Sequence, residues 1–184
     1  MRKQQREAIL ALLEETYMGT ETALNYSTPF ELLVAVIMSA QCTDERVNKI
    51  TARIFPKYNT PEKMGALSQE QLEEEIRDCG LFRSKAKNLL ATCKMLTEEY
   101  NSVIPDTVEE LMKLPGVGKK TANVVASIVY KVPAIAVDTH VFRVSHRLGL
   151  AKGDDPLAVE KELQKAIPKN KWSDAHHWLI WHGR

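Results

Sequence analysis

The sequence predicts an all-α protein on three observations. Helix-entry signals recur along the whole chain, strand signals hardly appear, and the connections between helical stretches run mostly to two to six residues. Eleven helices are expected, many of them short. Thr28-Pro29-Phe30-Glu31 places a capping threonine, a proline at the first helical position and a glutamate able to close a capping box. Leu32 to Met38 then reads as a buried helix. Thr60-Pro61 and Asp155-Pro156 repeat the cap-plus-proline pattern, while Ser68 with Gln71 and Thr107 with Glu110 resemble capping boxes. Gly80 and Gly149 stand where C-terminal caps would sit, the second after Phe142 to Leu148. Only Val132 to Val137 has strand character, and it is short, contains Pro133 and lacks a partner. Ser173 to Arg184 reads as a final helix, and Trp172, Trp178 and Trp181 recur near a helical period as core residues.

Composition excludes several classes. The 184 residues carry 25 Lys+Arg against 24 Asp+Glu, with 44% apolar residues, an ordinary globular balance. The longest apolar run, Leu32 to Met38, is seven residues, far below the roughly 20 that cross a bilayer. Glu14 and Glu15 interrupt the first apolar stretch before it could serve as a signal-peptide core, so the chain reads as cytoplasmic. Cys42, Cys79 and Cys93 are odd in number and far apart, which fits neither a disulfide framework nor a zinc site; they read as buried thiols. The five histidines include no i, i+4 pair in a metalloprotease arrangement, so no metal site is expected. Charge is unevenly placed. Leu111 to Lys152 holds seven basic residues and one acid, Asp138, leaving 18 basic and 23 acidic residues elsewhere. Such a stretch suits a polyanion, and it equally suits a solvated face.

The most informative segment is Leu114-Pro115-Gly116-Val117-Gly118-Lys119-Lys120-Thr121-Ala122. One helix ends near Leu114, a two-glycine hairpin follows, and a helix from Lys119 to Tyr130 begins at once. Unpaired N–H groups at that helix start can hold a phosphate whatever the base sequence. Taken alone, the segment also fits a helix-turn-helix corner that binds nothing. The helix from Lys119 to Tyr130 is about 18 Å long at 1.5 Å per residue, and the seven residues Lys131 to Val137 can reach back roughly 23 Å. Asp138 can therefore return beside Lys120. Lys120 alone reads as a solvated lysine in a place the helix dipole disfavours, and Asp138 alone reads as a helix cap.

Leu114 to Val125, followed by Val137-Asp138-Thr139-His140-Val141-Phe142-Arg143-Val144, closely resembles the helix-hairpin-helix DNA glycosylases. Leu33 to Asp44 with Ser39-Ala40-Gln41, Gly80 to Ala86, and His176 to Ile180 with His182-Gly183-Arg184 extend the resemblance over nearly the whole chain. It implies a two-lobed fold with a DNA-binding cleft between the lobes. Residues 21–131 would form a helical barrel ending in the helix-hairpin-helix at about 107–130, and 1–20 with 132–184 the second lobe. The implied activity is that of a bifunctional glycosylase and abasic-site lyase acting on oxidised or ring-saturated pyrimidines in double-stranded DNA. Lys120 would be the nucleophile and Asp138 would stabilise the cationic sugar and assist proton transfer.

The resemblance further implies DNA contacts. Gln41 would fill the gap left by an extruded base and Leu81 would wedge the opposite strand. Arg83 and Lys85, next to Leu81, suit phosphate contacts and equally suit a solvated helix face; Gly116, Val117, Gly118, Lys119 and Thr121 at the hairpin and His140 and Arg143 beyond it would also meet the DNA. Read locally, Leu81 is also a core residue after a capping glycine, Gln41 a polar loop residue, and His140 a structural histidine.

In the family, four closely spaced cysteines beyond the position of Arg184 hold a [4Fe-4S] cluster. This sequence encodes no such ligand set, so the cluster is expected only in a full-length family member and the chain reads as a fragment. No membrane partner is expected, and the chain is expected to be a monomer. Two other readings stay open: a monofunctional adenine-mismatch glycosylase, which Lys120 argues against, and a non-catalytic helix-hairpin-helix DNA-binding fragment.

Overall fold

A computed structural model describes every residue from Met1 to Arg184 as helix, turn or loop, with no strand. Eleven α-helices are present, with one 3-10 turn at Lys169–Lys171. Two compact units form. One comprises Ala23–Val125, the other Met1–Thr22 with Ala126–Arg184. The division falls at Val125, inside α8 (Lys119–Tyr130), whereas the sequence suggests 131, where that helix ends.

The Ala23–Val125 unit is built around α2 (Pro29–Met38), which is buried from Phe30 to Met38. A helix apolar on all sides must lie inside. Around it run α3 (Asp44–Tyr58), α4 (Pro61–Gly65), α5 (Gln69–Glu75), α6 (Phe82–Glu99) and α7 (Val108–Leu111). Val47, Ile50, Ile54 and Phe55 of α3 face inward, as do Ala86, Leu89, Cys93 and Leu96 of α6, each set at helical spacing. No helix is long and apolar enough to cross a membrane.

The other unit packs α1 (Lys3–Tyr17) against α11 (Trp172–Gly183), with α9 (Thr139–Arg147) and α10 (Pro156–Ala166) completing it. Leu13, Val141, Val144, Val159, Leu163, Trp178 and Leu179 share its core. Glu14 receives Lys171 Nζ at 2.7 Å, Tyr17 Oη bonds His182 Nδ1 at 2.9 Å, and Trp181 Nε1 donates to the Glu21 carbonyl at 3.0 Å. Trp181 is thus a corrected expectation: it is 38% exposed, while Trp178 is buried.

Most expected helix entrances hold. Thr28, Thr60, Ser68, Thr107 and Asp155 each accept the N–H three residues on. Ser68 and Gln71 close a reciprocal box, whereas the Glu110 carboxylate turns instead to Tyr100 Oη and Lys113 Nζ. Gly149, at φ 73, follows the α9 cap as expected. Gly80 does not cap α5, which ends at Glu75 under Ile76. Residues 132–137 form neither helix nor strand. Ser173 Oγ and His176 Nδ1 donate to the carbonyls of Val132 and Ala136, so side chains of α11 satisfy backbone that a neighbouring strand would otherwise pair.

Candidate active site

The hairpin is held from below by α6. Thr92 Oγ1 donates to the Pro115 carbonyl at 2.9 Å, and a Cβ placed on Gly116 would lie 2.9 Å from Asn88 Cβ. Gly116 also has φ +79, so both conformation and contact exclude a side chain there. Gly118 differs. Nothing lies within 4 Å of a Cβ built on it, so the protein itself makes no demand for glycine at that point. Val117 is 6% exposed and packs its side chain inward, so any contact it makes with a phosphate is through its main chain.

Helix α8 starts directly behind this turn, with Ala122 N–H on the Gly118 carbonyl at 3.0 Å. Lys119 and Lys120 are exposed in its first turn and Thr121 is half-buried. The Lys120 amine makes no hydrogen bond or ion pair, so no carboxylate competes for it. First-turn N–H groups without intrahelical partners surround it.

Asp138 lies in the other unit as the N-cap of α9. Its Oδ1 accepts the Val141 N–H at 2.8 Å, so the capping role visible in the sequence is real, and the half-buried carboxylate keeps Oδ2 uncommitted. His140 and Arg143 follow on α9. Arg143 Nη2 donates to the Gly183 carbonyl at 2.6 Å and approaches His140 Nδ1 at 3.4 Å, so that nitrogen secures the end of α11.

Gln41 and Leu81 occupy unusual backbone. Both are exposed and left-handed, with φ 52 and 59, a region that disfavours any residue with a Cβ. Leu81 is 55% exposed, which corrects the local reading of a core residue. Arg83 is exposed, stacks over Phe82 at 5.1 Å and lies 3.7 Å from Glu73. Lys85 overturns its expectation outright. It is 4% exposed, with Nζ directed at the carbonyls of Met38 and Ala40 and the sulfur of Cys79, and it cannot reach a phosphate. Asn88, Thr92 and the inward Lys85 were not legible as supports. Their spacing on one face of α6 was the available signal.

The three thiols form no ligand set, and no group of three or more His, Cys, Asp or Glu residues could hold a metal ion. Cys79 and Cys93 are buried and Cys42 is half-exposed, correcting the expectation for Cys42. Burial pushes the Cys93 thiol up to about 12, and burial raises Cys79 against the opposing pull of the Lys85 ammonium. The residues present therefore do not fit an iron–sulfur cluster.

The sequence profile of the HhH-GPD superfamily base excision DNA repair proteins matches residues 34–169. The chain is 50% identical to Endonuclease III of Rickettsia prowazekii (strain Madrid E) over 184 residues, covering 100% of this chain and 87% of that protein. It is 50% identical to Endonuclease III of Bacillus subtilis (strain 168), covering 98% and 83%, and 47% identical to that of Escherichia coli (strain K12), covering 100% and 87%. A solved structure of a trapped Endonuclease III–DNA covalent intermediate superimposes with a TM-score of 0.94 at 52% identity, covering 98% of this chain and 85% of that one. A thermostable thymine-DNA glycosylase shares the fold, with a TM-score of 0.85 at 20% identity over 98% and 86% of the two chains. The chain belongs to the HhH-GPD superfamily of base excision DNA repair proteins and, within it, to the endonuclease III family.

Proposed function

We propose that the protein is a bifunctional DNA glycosylase and abasic-site lyase that excises oxidised or ring-saturated pyrimidines from duplex DNA in the cytoplasm. The observation that carries this reading is Lys120: an exposed, uncommitted amine in the first turn of α8, behind a hairpin whose second glycine leaves open space. Main-chain N–H groups from Gly118 to Thr121 hold a phosphate, with Lys119 adding charge. Arg83 supplies a further exposed cation.

The chemistry follows from an amine beside a damaged nucleotide. Neutral Lys120 Nζ attacks C1′, the glycosidic bond breaks, and the base leaves with the bond's electron pair and takes up a proton. The sugar ring opens to a protonated Schiff base on Nζ. That iminium acidifies C2′–H, and loss of the 2′ proton expels the 3′ phosphate by β-elimination, cutting the strand on the 3′ side. Asp138, already oriented by its cap bond, stabilises the positive charge on the sugar with Oδ2 and assists proton transfer. Gln41 and Leu81 fill the space vacated by the extruded nucleotide.

Borohydride trapping on duplex DNA carrying an abasic site or an oxidised pyrimidine tests this. A covalent adduct is expected from the wild-type chain and none from Lys120→Ala. An adduct surviving in Lys120→Ala would remove the nucleophile assignment, and excision that leaves an intact abasic strand would point to a monofunctional enzyme.

A further inference from the structure

The turns carrying Gln41 and Leu81 touch each other. Gln41 follows the end of α2 and Leu81 precedes α6, and a Cβ on Gly80 would lie 2.8 Å from the Gln41 carbonyl oxygen. That contact, rather than helix capping, explains glycine at position 80. Directly inside both turns lies the Lys85 side chain. Its Nζ donates to the Met38 carbonyl at 2.8 Å, to the Ala40 carbonyl and to Cys79 Sγ at 3.2 Å. Three donors meet three acceptors, and no carboxylate is among them. Two acceptors are carbonyls at the C-terminal end of α2, where a helix favours a cation; the third belongs to the segment leading into Leu81.

A buried ammonium is costly to desolvate, and an apolar side chain would fill the same space on α6 without that cost. Cys79 Sγ also donates to the Met38 carbonyl at 3.3 Å, but only the ammonium bonds the Ala40 carbonyl beside Gln41 and the Leu81 segment at once. Each turn also sits in backbone that a side chain disfavours, so each would relax if released. We propose that Lys85 is a positioning residue that locks the Gln41 turn to the Leu81 turn, making the two side chains one wedge of preset spacing. A wedge already ordered before DNA arrives loses less freedom when the duplex opens around an extruded nucleotide. The proposal rests on the role given above to Gln41 and Leu81. It assigns Lys85 to opening the duplex and not to the bond chemistry at Lys120.

The test compares two substrates under single turnover: duplex DNA with thymine glycol, and a single-stranded oligonucleotide with an abasic site, which needs no wedge. Lys85→Met is expected to slow duplex excision at least tenfold while single-strand cleavage and borohydride trapping stay within twofold of wild type. Fluorescence of 2-aminopurine beside the lesion should rise less in the variant. Gly80→Ala, which forces the same two turns apart while leaving Lys85 in place, should give the same split, so the outcome does not depend on Lys85→Met folding. An equal fall on both substrates, or unchanged duplex excision in both variants, would overturn the proposal. Wild-type protein that cuts neither substrate would overturn the lyase reading with it. If Gln41→Ala and Leu81→Ala leave duplex excision unchanged, the wedge and its clamp fail together while the lyase reading stands.

Discussion

Asp138 serves two masters at the scale of one residue, and the two can be separated. Its Oδ1 caps α9 through Val141, and its charge is what the proposed chemistry would use. Asn keeps an acceptor for that N–H. Asp138→Asn is therefore expected to hold stability within about 0.5 kcal/mol while excision falls by about 10²- to 10⁴-fold. Asp138→Ala should lose, in addition, about 1 kcal/mol in urea unfolding. Equal stability losses in the two variants would show that the cap bond contributes nothing. The two hairpin glycines separate in the same way. Gly116→Ala meets Asn88 at φ +79 and should cost at least about 1 kcal/mol. Gly118→Ala meets nothing and should change stability by less than about 1 kcal/mol, with its effect appearing as weaker DNA binding. A stable Gly116→Ala protein would contradict the packing described. The sequence shows that this turn needs glycine, but only the structure shows which glycine answers to the protein and which to open space.

Among the elements, α9 is expected to carry a pH response. His146 Nδ1 faces the Phe142 carbonyl at 2.8 Å and Nε2 faces the Gly153 carbonyl at 2.9 Å, an arrangement that both nitrogens satisfy only as the imidazolium. The Phe142 carbonyl bond, with smaller help from Gly153 and the Glu162 carboxylate, holds His146 above its ordinary 6.5. A raised folded value means that this stabilisation is complete below about pH 6.5 and is lost as pH rises through the folded value. The stability gap between wild type and His146→Phe should therefore narrow from pH 6 to pH 9 in urea unfolding. A gap that stays constant over that range would rule the charged pairing out. Elements of this kind were partly legible. Caps such as Thr28, Ser68 and Asp155 could be read because donor and acceptor are three residues apart. Gly80 and Lys85 could not, because their partners, Gln41 and Met38, lie far away in the sequence, in the turn after α2 and at its last residue. Residues 132–137 looked strand-like because the buried loop backbone from Ala134 to Val137 takes the same apolar residues as a strand, whether a strand or a histidine satisfies its carbonyls.

For the molecule as a whole, the basic stretch from Leu111 to Lys152 proved mixed: Lys113 pairs with Glu110 and Arg143 holds Gly183, while Lys119 and Lys120 stay exposed. Net charge along a sequence cannot distinguish these uses. The division into units also has a direct readout, since all three tryptophans lie in the unit that contains α1 and α11. Deleting Met1–Thr22 removes Leu13 from that core along with the partners of Lys171, His182 and Trp181. The deletion should red-shift tryptophan emission and abolish its cooperative urea transition. Cys93, buried in the other unit and pushed up to about 12, should stay unreactive toward iodoacetamide at pH 8. Rapid alkylation of Cys93 in the deletion variant would show that the units do not stand separately.

The same arrangement orders events on the ribosome. Helix α1 is made before its packing partner α11, and the whole Ala23–Val125 unit lies between them. At about 5–20 residues per second, α1 waits roughly 8–30 s for that partner. Until α11 is made, Leu13 lacks Ala175, Trp178 and Leu179 of its core, so α1 is a segment of the nascent chain that a chaperone could hold.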